Sequence, residues 1–128
     1  MKASIPGKFP VTLFGNEKVN GRSKYAAILT RDGVGITIIN NLDDGNFAVV
    51  DVCEKLHTMI VNFMQGCGDV LFSVDYAGEV IKSQMIDGKL KKIGAVSTSS
   101  GCGNCIAVVD ANTVFVGSLD GTIKRIHF

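Results

Sequence analysis

Three stretches of this chain say nearly the same thing at nearly the same distance. They are Ile28-Leu29-Thr30-Arg31-Asp32-Gly33, Phe72-Ser73-Val74-Asp75-Tyr76-Ala77-Gly78 and Val116-Gly117-Ser118-Leu119-Asp120-Gly121. Each is followed by a second apolar-rich run, and the turn glycines Gly33, Gly78 and Gly121 stand 45 and 43 residues apart. A fixed period of this size is the signature of a repeat architecture, in which one unit cannot bury its apolar face alone.

The runs between the turns read as strands, because apolar and β-branched residues alternate over five to eight positions between Gly-rich punctuators. The expected strands are Phe9 to Phe14, Tyr25 to Thr30, Gly35 to Asn40, Phe47 to Val52, Met59 to Met64 and Val70 to Asp75. They continue as Glu79 to Ile86, Lys89 to Val96, Cys105 to Asp110, Thr113 to Ser118 and Thr122 to Phe128. Gly15 to Lys24 and Ser97 to Asn104 are polar or Ser/Gly-rich and read as loops. Asp51 to Thr58 is too short for a stable helix and reads as a connection. Grouping by the period gives one domain with repeats at about 9–52, 59–96 and 105–128, the last lacking a fourth strand.

At 128 residues the chain can build one modest core, and 46% hydrophobic with 20% charged residues suits a well-buried β protein. Thirteen basic residues balance twelve acidic ones, so the basic excess of a nucleic-acid binder is missing. The densest basic stretch, Lys89-Leu90-Lys91-Lys92, reads as a solvated strand face. No segment has the eighteen or so apolar residues of a membrane span. Met1 to Lys8 has no apolar core of a secretory signal. The expectation is an intracellular, cytoplasmic protein whose four cysteines, Cys53, Cys67, Cys102 and Cys105, are reduced thiols.

Thr113-Val114-Phe115-Val116-Gly117-Ser118-Leu119-Asp120-Gly121-Thr122-Ile123-Lys124-Arg125-Ile126 resembles the central hairpin of a WD-repeat β-propeller blade. The match runs over about fourteen residues, is looser at Asp75 to Ile81, and looser still at Arg31 to Ile36. The Trp-Asp pair of that family is missing, and neither His57 nor His127 takes its Gly-His position. The resemblance implies an all-β fold of three four-stranded antiparallel repeats in a propeller-like arc, and a scaffolding role in a protein complex. Propellers usually have four to eight blades, so such an arc needs a partner or a second copy. A β-trefoil, also three repeats of four strands, is the alternative and closes by itself.

Chemistry is sparse. Cys102 and Cys105 form a Cys-x-x-Cys pair on a Gly-rich turn, the spacing for a metal or a redox disulfide. Cys53, Cys67, His57 and His127 supply no second pair of ligand spacing. No Ser or Cys has a recognisable nucleophile context. The reading is a non-enzymatic protein–protein interaction module without cofactor, which docks with protein partners or with itself. Its candidate contact is the terminal strand Ile123, Lys124, Arg125, Ile126, His127 and Phe128, with Met1–Lys8 as a segment able to cover that edge. Two alternatives stand beside it: a trefoil that binds a carbohydrate or other ligand, and a metal or redox protein using Cys102 and Cys105.

Overall fold

The computed structural model describes residues 7–128. It contains eleven strands: β1 (Lys8–Val19), β2 (Arg22–Leu29), β3 (Ile36–Asn40), β4 (Ala48–Cys53), β5 (Val61–Cys67) and β6 (Val70–Asp75). The rest are β7 (Glu79–Ile86), β8 (Lys89–Ser97), β9 (Gly103–Asp110), β10 (Thr113–Ser118) and β11 (Ile123–His127). Every ladder is antiparallel between strands adjacent in sequence. They form sheet 1 (β1-β2-β3-β4), sheet 2 (β5-β6-β7-β8) and sheet 3 (β9-β10-β11).

The three repeated turns close in the same way. Gly33 donates its N–H to the Thr30 carbonyl, Gly78 to that of Asp75 and Gly121 to that of Ser118, at 2.9 to 3.0 Å. All three glycines have φ between +79° and +85°, where a side chain is strained. These turns therefore fix which residues of the three hairpins correspond.

Alternation along each strand then sends apolar side chains to both faces. Ala27, Leu29, Ile36 and Ile38 of sheet 1 share a core with Val61, Met64, Leu71 and Ile81 of sheet 2. From the other face of sheet 2, Val70, Phe72, Val74 and Val80 share a second core with Ile106, Val114, Val116 and Ile126 of sheet 3. Polar ties run beside these cores. Asn16 N–H reaches Asp69 Oδ1 at 2.7 Å, Leu90 N–H reaches Asp51 Oδ2 at 2.9 Å, and Asn62 Nδ2 reaches the Gly103 carbonyl at 2.7 Å.

The propeller-like arrangement is corrected by this stacking. The sheets pack one on the next, β1 and β4 against sheet 2 and β9 against β5 and β6, and form no closed radial ring. Two layers of buried apolar side chains between three sheets satisfy the hydrophobic demand without an axis. This cross-sheet stacking fits the trefoil-like alternative better, although no ladder joins one sheet to another. The third sheet has three strands, so three four-stranded repeats are not all completed.

Gly15 to Lys24, expected as a loop, is a hairpin instead. β1 and β2 extend through it and turn at Asn20-Gly21, both with positive φ (52° and 80°). Polar residues hid the strand pattern, while Asn-Gly is itself a strong hairpin signal. Asp51 to Thr58 carries the end of β4 and a series of turns, with no helix. Met1 to Pro6 lie outside the described residues. Lys8 pairs with Leu29 of β2, so this part of the expected cover for β11 belongs to sheet 1.

Candidate functional site

The densest polar arrangement among the described residues is buried between sheets 1 and 2. On β6, Ser73 and Asp75 are two positions apart and so point to one face, toward sheet 1. His57 enters from the β4–β5 connection, its N–H donated to the Val34 carbonyl at 2.9 Å. Its Nδ1 lies 2.8 Å from Asp75 Oδ2 and its Nε2 lies 2.7 Å from Ser73 Oγ. The other Asp75 oxygen accepts the backbone N–H groups of Ala77 and Glu79, at 2.8 and 3.0 Å. His57, Ser73 and Asp75 are at most 1% exposed.

Burial lowers the His57 pKa below its ordinary value, against the opposing pull of the Asp75 carboxylate. A neutral imidazole results, and its partners assign the tautomer. Nδ1–H donates to the carboxylate, and Nε2 accepts the Ser73 hydroxyl proton. The arrangement can hold a proton in one place, and it ties the connection, the strand and the β6–β7 turn together. Glu79 stands beside it, and ligand atoms of His57, Asp75 and Glu79 lie within 4.8 Å of one another, the spacing of a metal-holding group.

The sequence reading did not find this cluster. Its signal was present in Ser73-Val74-Asp75, two polar residues on one face of an otherwise apolar strand. The missing piece was His57, sixteen residues from Ser73, which only the folded connection brings home.

The cysteine candidates are placed differently. Cys102 is half-buried in the turn before β9, and Cys105 is exposed on β9 opposite Gly117. Both are free thiols, and neither joins a group of three ligands among the described residues. Cys53 is half-buried too, and burial pushes its thiol pKa up, which keeps it protonated and a poor metal ligand.

The terminal strand candidates divide by face. Ile126 is buried in the core between sheets 2 and 3, and Phe128 packs against that core, its ring 5.8 Å from that of Phe72. Ile123, Arg125 and His127 are exposed, and Lys124 is intermediate. The His127 Nδ1 lies 2.7 Å from the Thr113 hydroxyl. β11 is an edge strand of sheet 3.

No family model matches this chain, and no curated protein matches it significantly. The WD-repeat resemblance of the β10–β11 hairpin therefore carries no family membership. What stands is an all-β domain of three antiparallel sheets, in which no helix among the described residues is long and apolar enough to cross a membrane.

Proposed function

We propose that this chain is a non-enzymatic interaction domain that holds another polypeptide against its third sheet, over the outer face and free edge of β11. One observation carries the reading. Val109, Phe115, Leu119 and Ile123 are large apolar residues on sheet 3 and its turn, and all are exposed, Leu119 and Ile123 to 69% and 75%. Contiguous apolar exposure of this kind marks interaction surfaces. An edge strand adds unpaired backbone groups that an extended segment can join.

The buried cluster supports a non-catalytic role. Ser73, His57 and Asp75 stand in the order of a hydroxyl, base and carboxylate, but a nucleophile must meet its substrate, and Ser73 is fully buried. The test is a photo-reactive residue at position 123, with position 18 as the control, in the native cell. A discrete covalent adduct at 123 alone is expected. Its absence overturns the reading.

The cluster also favours a second reading, a divalent cation held by His57, Asp75 and Glu79, which is a better founded metal alternative than Cys102 and Cys105. It requires His57 to release one of its two hydrogen bonds to the ion. Calorimetric titration with zinc, repeated on Asp75→Ala, tests it: binding that the substitution abolishes supports a site, and no heat in the parent protein removes it.

A further inference from the structure

The repeated turns allow each exposed residue of sheet 3 to be compared with its counterparts in sheets 1 and 2. Counting back from the turn residues Thr30, Asp75 and Ser118 aligns Ala27 and Leu29 with Phe72 and Val74, and these with Phe115 and Gly117. Across the ladder, Leu29 pairs with Ile36, Val74 with Val80 and Gly117 with Ile123. Ile36 and Val80 are 0% exposed, while Ile123 is 75% exposed.

The reason is what lies beyond each sheet. Leu29 and Ile36 face sheet 2, and Val74 and Val80 face sheet 3. This surface of each sheet, its rear, meets the front of the following sheet. Sheet 3 shows the same rear with no following sheet.

The front of sheet 1 is equally bare. Ala26 and Ile28 correspond to Leu71 and Ser73 of sheet 2, and to Val114 and Val116 of sheet 3, all four fully or almost fully buried against the preceding sheet. Around Ala26 and Ile28, their partners Leu13 and Val11 are 49% and 57% exposed. Val49 and Val52 at the other edge are exposed as well.

We infer that the rear of sheet 3 packs on the front of sheet 1 of a second copy of this chain, repeating between molecules the joint made twice within each one. The two bare surfaces are one rear and one front, the combination that both internal joints use. Such a contact is heterologous, with different surfaces on the two copies. It rests on the interaction reading above and names the occupant.

The test is the solution mass of the purified chain by analytical ultracentrifugation across concentration, with Ile123→Lys altering the rear and Leu13→Lys the front. Phe115→Lys and Val49→Lys repeat the pair if either variant melts early. The parent chain is expected to reach at least twice the single-chain mass. Each variant alone is expected to stay at the single-chain mass, with affinity at least about tenfold weaker. Their equimolar mixture is expected to form a one-to-one pair, because one intact rear then meets one intact front.

A parent chain that stays monomeric overturns the inference, and so does a Leu13→Lys variant that associates as the parent does. A monomer with a cellular adduct at position 123 to a different protein would leave the interaction reading standing. No adduct at all would remove both.

Discussion

His57 Nδ1 sits 2.8 Å from Asp75 Oδ2, and that carboxylate at the same time receives the N–H groups of Ala77 and Glu79. One side chain thus satisfies three donors in a place where water cannot. Asp75→Ala leaves all three without an acceptor, and each unsatisfied buried group costs about 1–3 kcal/mol. The variant is expected to lose at least about 3 kcal/mol by denaturant unfolding. Ser73→Ala strands only Nε2 and is expected to lose about 1–3 kcal/mol. Equal losses in the two variants would show that Asp75 is not the centre of the network.

Acid should weaken the fold through His57 before it does so through carboxylates. The His57 pKa is lowered by burial, so between its folded value and the unfolded value of about 6.5 the unfolded chain holds more protons. Stability is then complete above about pH 6.5 and falls as the pH drops toward the folded value. The carboxyls of Asp32 and Asp120 are lowered too, first by hydrogen bonds from the hydroxyls of Thr30 and Thr122. Their contribution is present above about pH 4 and disappears below it. Unfolding free energy measured from pH 7.5 to 4.5 should decline in the parent chain and flatten in His57→Gln, which has no proton to gain.

The joint between sheets 2 and 3 depends on a missing side chain at Gly103. A Cβ there would come within 2.2 Å of Val74 Cγ2, inside the second core. Gly88 has φ +77° in open space, so a Cβ meets nothing there. Gly103→Ala is expected to destabilise by about 1–3 kcal/mol through overpacking. Gly88→Ala is expected to lose only the smaller backbone strain of a left-handed residue, about 1 kcal/mol. Thermal melts of the pair decide it, and a reversed order would contradict the close approach of β9 to β6.

Thiol labelling should rank the cysteines. Cys105 is exposed, whereas Cys53 is half-buried with its pKa raised by that burial. Maleimide modification of the native chain at pH 7 is expected to be at least about tenfold faster at Cys105, since the thiolate is the reacting form. Mass spectrometry of the labelled peptides gives both rates, and comparable rates would refute the placement.

The strands themselves were legible because period-two alternation is local. β6 and β10 run over Val70–Asp75 and Thr113–Ser118, the same residues that the pattern marks, and β7 over Glu79–Ile86. The β1–β2 hairpin was not legible, since Asn16, Glu17 and Lys18 are solvent-facing and give no alternation. The candidate cluster was half legible, in Ser73 and Asp75. Its third member, His57, comes from a connection whose path depends on the Val34 carbonyl of another sheet.

By itself, the sequence determined a three-fold recurrence of β hairpins. Gly33, Gly78 and Gly121 impose tight turns, and alternation assigns every side chain to one face or the other. How those faces meet was decided only in three dimensions. Both surfaces of a doubly apolar sheet seek cover, and local pattern is the same whether the cover is a ring neighbour, a stacked sheet or another molecule. Ile36, Val80 and Ile123 hold equivalent places on their hairpins, yet two are sealed and one is open. Burial belongs to the company a residue keeps across the fold, and no period along the chain encodes that.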